Sequence, residues 1–347
     1  MTDAVRAMLL SQADGCEGLG SPLTARVLRL LAASMQPGTP VEDRVLGWQG
    51  DLSRTGDAMA LRLAGGLHAL VLMEADAELA AFYRDQEALD DAAAVAVLRR
   101  CLRDHSGVLN RWLDSAPQTN EVRRSAALMA AGHWLTARLG LPIVLSELGA
   151  SVGLNLLWDH YALNLGAGYG PAGAKVVLRP DWQGDPPPVA APKVITRAGV
   201  DLQPLHPVQD RLRALSYIWA DQTERLARTA AALDIAATNL PPIVQGDAID
   251  WLQGRLEQGH PGALHLVYHT IAWQYFPPAA QARGLALFDQ AAARATVTAP
   301  LAHLSMEADA VQDGAALVLW LWTGGAVERF DLARVDFHGR WLRWTAA

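Results

Sequence analysis

Cysteine, excess basic charge and long hydrophobic segments are all scarce in this chain of 347 residues. Its two cysteines, Cys16 and Cys101, lie far apart and form no CxxC pair. We therefore expect no disulfide framework and no zinc site, and predict two buried thiols. The opening segment MTDAVRAMLL lacks the basic-then-apolar build of a signal peptide. The longest strongly apolar run, at 315–322, is far shorter than the ~20 residues of a membrane helix. These absences predict a soluble, cytoplasmic protein.

The charge balance bears on the partners to expect. The net charge is −7, which argues against nucleic acid bound to a generally basic surface. Hydrophobic residues make up 51% of the chain and charged residues 19%, enough to bury a large core. At this length we expect one large domain or two smaller ones. The composition does not determine the oligomeric state.

The hydrophobic periodicity changes near residue 140. Before it the pattern is helical, with a helix start at Ser21-Pro22, where a capping oxygen precedes a proline. Further helices are predicted at 58–74, 76–87, 91–103 and 120–139. We find no strand pattern in this half. We therefore predict a helical domain over residues 1–140, which would cap the substrate site.

After residue 140, short runs of branched apolar residues predict strands. The runs lie at 143–147, 194–200, 243–246, 264–268, 299–305, 315–322 and 334–344. Helical stretches separate most of them, at 153–162, 208–237 and 278–295. This alternation predicts an α/β domain over 141–347, with a Rossmann-like, doubly wound and mostly parallel sheet that ends in antiparallel strands. Residues 164–192 are rich in glycine and proline and predict an inserted loop or hairpin.

The first strand leads into a glycine-containing turn and then a helix. Gly149 and Gly153 let the backbone turn sharply and approach a ligand. The start of the next helix presents unpaired N–H groups. Glu147, at the end of the strand, would repel a pyrophosphate. The turn is therefore better suited to a ligand that carries an amino group or a positive charge.

The next two strands also end in acidic turns. Asp201 follows the second strand, where such folds bind ribose hydroxyls, and Asp247 follows the third, where an adenine ring would lie. The carboxyl ends of parallel strands meet at one edge of the sheet, so the three acidic turns together predict a nucleoside site. An alternative for Asp247 is that it caps a helix at 248–253.

These motifs carry two resemblances. Three motifs resemble the first three cofactor motifs of class I S-adenosylmethionine-dependent methyltransferases. They are E-x-G-x-S-x-G at 147–153, GVD at 199–201 and GDA at 246–248. In this chain Ser151 replaces the usual central glycine. The chain also resembles an uncharacterised bacterial family, domain of unknown function 2332 (DUF2332), through ELGASVGLNLLWDHY at 147–161 and YHTIAWQY at 268–275. That second resemblance spans most of the chain and implies no activity.

The methyltransferase resemblance implies methyl transfer from S-adenosylmethionine to a small molecule. The implied cofactor contacts are Glu147, Gly149, Ala150, Ser151, Gly153, Asn155, Asp201, Asp247, Ala248 and Tyr268. Glu147 and the turn would hold the amino acid part, Asp201 the ribose and Asp247 the adenine amino group. His269, after the fourth strand, is the implied base, because an imidazole exchanges protons near neutral pH.

Two groups of residues are candidates for substrate contacts. Trp158, Trp273 and Tyr275 lie near the expected cleft and would form an apolar wall. Asn120 and Arg123 begin the helix at 120–139, from which Arg123 or Arg124 would reach an acidic substrate. The alternative for this pair is a capped, solvated helix start.

Three other functions remain open. Residues 149–153 match G-x-S-x-G, the nucleophile elbow of α/β-hydrolases, with Ser151 as nucleophile and Asp309 and His338 as partners, although no HGGG-type oxyanion loop is visible. A dinucleotide enzyme would require G-x-G-x-x-G, which this turn lacks. The third alternative is a non-catalytic nucleotide-binding or scaffold protein. We expect no metal site, because four residues along a strand would place His265 and His269 ~13 Å apart.

Overall fold

A computed structural model describes residues 2–53, 56–118, 120–166, 168–311 and 313–346. By their internal contacts the residues form two compact units. The first comprises Met1–Thr119 and Gln209–Ala230, and the second comprises Asn120–Val208 and Ala231–Ala347.

The division between these units differs from the predicted boundary at residue 140. The helix Ser125–Leu139 belongs to the second unit. It is buried along nearly its whole length, as expected of a helix that is apolar all round. Periodicity identifies this segment as helical but does not show which core it joins.

The first unit is helical in its described residues. Its helices are α1 (Thr2–Gly18), α2 (Pro22–Ser34), α3 (Pro40–Leu46), α4 (Met59–Leu72), α5 (Ala77–Arg84), α6 (Asp91–Asp104) and α7 (Ser106–Leu113), with a 3₁₀ turn at Gln86–Ala88. The helix α9 (Arg211–Ser216) and the first part of α10 (Thr223–Thr238) also belong to it. In the second unit, α8 (Ser125–Leu139) follows a 3₁₀ turn at Val122–Arg124. The predicted helix at 208–237 is therefore two helices.

The core of the first unit contains side chains from α1 through α7. Cys16 and Cys101 are both buried, which confirms the prediction of two buried thiols. The predicted start of α2 is also confirmed, with Pro22 in the first turn, but Ser21 makes no capping bond of its own. Asp221 instead accepts from the Leu23 N–H at 2.9 Å and from the Ser21 hydroxyl.

A nine-stranded sheet forms the centre of the second unit. Its strands are β1 (Ile143–Leu148), β5 (Asp181–Gln183), β6 (Val194–Asp201), β7 (Ile243–Gln245), β8 (Leu264–Thr270), β9 (Leu301–Ala308), β10 (Ala315–Trp322), β11 (Glu328–Val335) and β12 (Trp341–Trp344). Their order is β5-β12-β11-β10-β9-β8-β1-β6-β7. The five neighbouring strands β7, β6, β1, β8 and β9 run parallel to one another. Each pair of neighbours along β9, β10, β11 and β12 is antiparallel. A mixed α/β unit with a mostly parallel sheet and an antiparallel end is therefore confirmed.

Two predicted elements differ from the structure. The run at 334–344 is not one strand, since the chain reverses between β11 and β12 around Asp336, whose carboxylate accepts from the N–H groups of His338 and Arg340. The segment predicted as a helix at 153–162 is a 3₁₀ helix at Leu154–His160.

The glycine- and proline-rich insertion is partly ordered into strands. Strands β2 (Ala162–Asn164), β3 (Gly168–Tyr169) and β4 (Val177–Leu178) form a small sheet in the order β3-β2-β4. The insertion also contributes β5, which pairs parallel to β12. The sequence did not indicate that the insertion would extend the main sheet.

Helices α11 (Ala248–Glu257) and α12 (Pro278–Ala292) cover one face of the sheet. Their apolar side chains pack with Leu148, Val200 and Val267. Phe288 of α12 is 1% exposed and stacks on the His303 ring, with centroids 4.1 Å apart. Within the described part of the chain, no helix has the length and apolar character needed to cross a membrane.

We predict that Phe288→Ala lowers the free energy of unfolding by about 3–5 kcal/mol, because it removes a buried ring from this core. The control is Leu285→Ala on the same helix. Leu285 is 50% exposed, and its loss should change stability by about 0.5 kcal/mol or less. Urea unfolding measures both effects, and equal losses in the two variants would contradict the described packing of α12.

Candidate functional site

The candidate site lies where the strand order reverses in the second unit. From β1 the chain adds β6 and β7 on one side, and later β8 and β9 on the other. Open α/β sheets bind ligands beyond the carboxyl ends of their strands at such a reversal. The segments that follow β1 and β8, at 149–153 and 271–276, flank this position.

The backbone of the turn at 149–153 is bent by three residues in the left-handed region. Gly149, Ser151 and Gly153 have φ angles of +74°, +52° and +77°. The end of β6 holds this turn, since the N–H groups of Gly149 and Ala150 both donate to the Val200 carbonyl, at 2.9 and 3.0 Å. The Gly153 N–H donates to the Ala150 carbonyl at 2.7 Å. These three N–H groups are engaged within the protein, and that the turn contacts a ligand stays a prediction.

The glycines of the turn make room for protein atoms. A Cβ on Gly149 would lie 2.7 Å from the Cβ of Ala272, in the segment after β8. A Cβ on Gly153 would lie 2.7 Å from Ile243 Cδ1 and 2.8 Å from Pro241 Cγ. Close packing of neighbouring segments therefore accounts for both glycines.

Glu147 is a buried carboxyl at the end of β1. It is 2% exposed and lies between Gly199 of β6 and Tyr268 of β8. Its Oε2 atom is buried and has no hydrogen-bond partner among the described residues. Burial raises the pKa of Glu147 well above its ordinary value, Asp201 raises it further, and Arg124 opposes the rise. Glu147 therefore combines an unused acceptor with a desolvated carboxyl, as expected of a group that receives a ligand.

Asn120 presents a second unused acceptor near the same turn. Its Nδ2 donates to the Ala150 carbonyl at 2.8 Å. Its Oδ1 is buried and has no partner in the part of the chain that the structure describes. Asn120 is not the cap of a helix, because α8 begins five residues later and the intervening 3₁₀ turn is capped by Glu121. An amide held in place with a free carbonyl oxygen is suited to accept a hydrogen bond from a ligand.

The two acidic turns after β6 and β7 have structural partners. Asp201 Oδ2 accepts from the Ser151 N–H, and Oδ1 from the Gln203 N–H, both at 2.9 Å. Asp247 Oδ1 caps α11 by accepting from Ile249 and Asp250, at 2.9 and 3.0 Å. The capping alternative for Asp247 is therefore confirmed, and Ala248 is the first residue of α11.

Three predicted contact residues are buried in the protein core instead. The Tyr268 hydroxyl donates to the Asn155 carbonyl at 3.1 Å, and the Asn155 side chain accepts from the Ser125 hydroxyl at 2.7 Å. Trp158 is 1% exposed and packs so tightly on Gly132 that a Cβ there would lie 2.6 Å from its ring. In this arrangement none of the three side chains presents a surface to a ligand.

The other predicted substrate contacts differ in accessibility. Tyr275 is 73% exposed, whereas Trp273 is half-buried and stacks on the His269 ring at 4.9 Å. Arg123 is half-buried, and its backbone lies against Gly339 in the turn between β11 and β12. Of these side chains, only Tyr275 is freely accessible.

His269 is the centre of a buried hydrogen-bonded relay. Its Nδ1 lies 2.7 Å from Glu307 Oε1, and its Nε2 lies 2.9 Å from His303 Nε2. The ring is 1% exposed. Successive side chains of a strand alternate between faces, so His269 lies on the opposite face of the sheet from Tyr268 and its register partner Glu147. With both nitrogens engaged and no access to a ligand, His269 does not fit the predicted role of catalytic base.

Glu307 organises the segment after β8. Its Oε1 also accepts from the N–H groups of Ala272 and Trp273, at 2.9 and 3.0 Å. Burial raises the pKa of Glu307, but the bonds from His269 and these N–H groups outweigh it and leave the pKa below its ordinary value. The anchored segment begins at Ile271, a branched residue with a φ of +52°, which a free chain would rarely adopt. The carboxylate thereby stabilises the strained turn that packs against Gly149.

His303 and Glu307 were not among the predicted site residues, whereas Arg124 was predicted, with Arg123, as a substrate contact. Arg124 is buried and donates to the carbonyls of Thr270 and Phe337, at 3.0 and 2.9 Å. Glu307 lies near the end of β9, beyond the predicted limit of that strand at 305. The signal that the sequence offered for Glu307 was its position just after the predicted strand at 299–305, which makes it a fourth acidic residue at a strand end. Among the described residues, no group of three or more histidine, cysteine or acidic side chains is placed to hold a metal ion.

Comparison with known proteins assigns the chain to a family. The model of DUF2332, described as an uncharacterized protein conserved in bacteria, matches residues 6–344. The chain belongs to this family. None of the curated proteins matches it.

We predict that Glu147→Gln raises the free energy of unfolding at pH 7 by about 1–2 kcal/mol, because it removes a buried charge that lacks a partner. A carboxyl whose folded pKa is raised costs no stability below its unfolded pKa of ~4.3 and costs more as the pH rises above it. The gain should therefore be larger at pH 8 than at pH 4. Chemical unfolding at both values measures it, with the exposed Glu257→Gln on α11 as the control. A loss of stability in Glu147→Gln at pH 8 would contradict the burial of an unpartnered charge.

The relay also predicts a pH dependence. Burial lowers the pKa of His303 well below its ordinary value, and His269 lowers it further. The stability that depends on neutral His303 is complete above its unfolded pKa of ~6.5 and is lost as the pH falls, by up to ~1.4 kcal/mol per pH unit. We expect His303→Phe to reduce the slope of unfolding free energy between pH 6 and pH 5 by about 1 kcal/mol per unit.

The control for this slope is Phe288→Leu, which trims the same ring stack without removing a titratable group. It should lower stability equally at every pH and keep the slope. An unchanged slope in His303→Phe would contradict a buried, neutral histidine at this position.

Proposed function

We propose that this chain is an S-adenosylmethionine-dependent methyltransferase that acts on a small molecule, with its cofactor bound beyond the carboxyl ends of β1 and β8. The observation that carries the proposal is the unpartnered Oε2 of buried Glu147. The strand order β7-β6-β1-β8-β9 supports it, because it is the order of a doubly wound, Rossmann-like sheet.

The unused acceptors fit the amino acid part of this cofactor. Its α-ammonium group carries three N–H donors, and Glu147 Oε2 and Asn120 Oδ1 are both buried acceptors without a donor. A charge-assisted bond to Glu147 would offset the cost of burying its carboxylate. A phosphate group would instead add a second negative charge beside Glu147, and for that reason we do not propose a dinucleotide.

The nucleoside part would contact the next two acidic turns. A carboxylate offers about four acceptor sites. Asp201 uses both oxygens to hold backbone N–H groups, so a ribose hydroxyl would share an oxygen with one of them. Asp247 is exposed, and only its Oδ1 is used in the cap of α11, which leaves Oδ2 for an adenine amino group.

Bound S-adenosylmethionine would supply an electrophilic methyl group on a sulfonium. The contribution of the protein would then be to position the acceptor in line and to exclude water. Because His269 is engaged at both nitrogens, we do not assign a protein base. We therefore propose an acceptor that reacts in the protonation state in which it binds, with Tyr275 at the accessible side of the segment after β8.

One observation favours a second candidate. Ser151 has a φ of +52°, and the serine of a nucleophile elbow also lies in a strained strand-to-helix turn. The predicted acid of the triad does not support this interpretation, because Asp309 forms an ion pair with Arg334 at 2.6 Å. Hydrolysis by Ser151 is thus a second candidate that rests on the strained turn alone.

The proposal predicts a specific pattern of binding in isothermal titration calorimetry. Wild-type protein should bind S-adenosylmethionine and S-adenosylhomocysteine, but not NAD. Glu147→Gln should weaken both by about tenfold or more, because a charge-assisted hydrogen bond is lost. Affinity for 5′-methylthioadenosine, which lacks the amino acid part, should be unchanged by this substitution, and Glu257→Gln should bind all three ligands as wild type does.

Two results would contradict the proposal. One is the absence of binding in folded wild-type protein. The other is equal affinity of wild type and Glu147→Gln for S-adenosylmethionine. If binding is absent and a fluorophosphonate probe labels Ser151, the hydrolase alternative would take its place.

A further inference from the structure

A cavity lies at the edge of the sheet opposite the candidate site. It has a volume of about 70 Å³ and lies beside the amino ends of β8 and β9. Its polar wall is formed by Gln258, His260, His265 and Arg294. The remaining wall consists of apolar side chains and backbone from α11, α12 and the segment before β9.

Arg255 is not part of the cavity wall, but it bonds to one wall residue directly and to a second one through Ser146. Its Nη1 donates to Gln258 Oε1 at 3.0 Å, and its Nε donates to Ser146 Oγ at 3.1 Å. Ser146 Oγ in turn lies 2.9 Å from Nε2 of His265. The Nη2 of Arg255 is buried, and no described residue is its hydrogen-bond partner. This guanidinium therefore has a donor that the protein does not satisfy.

Positive charge at this edge is not neutralised by carboxylates. In the described parts of the chain, neither Arg255 nor Arg294 forms an ion pair with an acidic side chain. Arg294 donates to the carbonyls of Leu256 and Gln290, at 2.9 and 3.5 Å. Two acceptors near the cavity, Gln258 Oε1 and the Leu256 carbonyl, are thus already used by the two arginines.

The two histidines of the wall add polar groups without adding a carboxylate. Ser146 Oγ accepts from Arg255, so its single proton is available for His265 Nε2, and this leaves Nδ1 as the N–H of His265. Burial lowers the pKa of His265 to about 3, with His260 and Arg255 lowering it further, so the ring is neutral at pH 7. The centroid of the His260 ring lies 4.7 Å from that of His265, and the Nε2 of His260 is buried with no partner among the residues described.

We propose that this cavity is a binding site for a small oxyanion such as phosphate, held by Arg255, Arg294 and the two histidines. An oxyanion supplies acceptors to the unsatisfied donors and negative charge to two unpaired arginines. Water fills ~30 Å³ per molecule, so the cavity has room for about two waters or one tetrahedral anion. Waters would satisfy the hydrogen bonds but would leave the charge uncompensated.

The test is a titration of wild-type protein with inorganic phosphate, followed by the ³¹P line width. Wild type should show saturable broadening. Arg255→Gln and Arg294→Gln should each weaken binding by about tenfold or more, because each removes a charge-assisted donor. The control is Arg283→Gln, which makes the same charge change at an exposed ion pair with Asp250 on the surface of α11 and α12 and should bind phosphate as wild type does.

Further ligands distinguish the possible forms of the anion. Sulfate should compete with phosphate. Competition by glycerol phosphate would support a site for the phosphate group of a larger molecule, and its failure would support a site for the free ion. Loss of stability in Arg255→Gln would leave Arg294→Gln as the deciding variant, since its partners are only backbone carbonyls. Broadening that does not saturate, or equal affinity in all four proteins, would overturn the proposal.

Discussion

The central position of β1 is the constraint on which the rest of the site depends. All six residues of the strand are buried, and parallel strands flank it on both sides. A carboxyl at its end is therefore desolvated, and Glu147 is left with an oxygen that no donor reaches. The chain then turns at once through left-handed residues that are fixed to the end of β6. An unpaired buried carboxyl lowers stability, and such a group is most readily explained as part of a recognition site.

A second buried carboxylate lies on the other face of the sheet and, unlike Glu147, accepts several hydrogen bonds. Glu307 is fully engaged by His269 and by the backbone of the segment after β8. It stabilises a turn that packs against Gly149, and so it shapes the site without facing it. On the face covered by α12, the hydrogen-bonded relay of Glu307, His269 and His303 stabilises the fold. On the other face, Glu147 presents an acceptor to the proposed cofactor.

The sequence predicted the sheet better than it predicted the site. The run at 143–147 is completely buried and the run at 315–322 nearly so, and both consist mainly of apolar residues. Periodicity and composition therefore both predicted these two strands. The run at 334–344 was predicted as one strand, but the chain reverses within it at a turn that Asp336 stabilises. In the sequence, a single aspartate is the signal for this turn. Asn155, Trp158 and His269 lie in segments correctly associated with the strand ends, yet their side chains point into the core. Spacing identifies the segment, whereas tertiary packing decides which side chains of it remain available. For the same reason the partners of Arg124 and Glu307, which lie far away in the chain, were not visible in the sequence.

The protonation of Glu147 is the most direct test of the account. Its side-chain carboxyl can be followed by ¹³C NMR as the pH is varied, with and without S-adenosylmethionine, and assigned by comparison with Glu147→Gln. We expect a pKa above the ordinary range of a glutamate in the free protein, and a fall of that pKa when the ammonium group of the ligand binds. A carboxyl that titrates in the ordinary range and does not respond to the ligand would contradict both the burial of an unpaired charge and its proposed role in recognition.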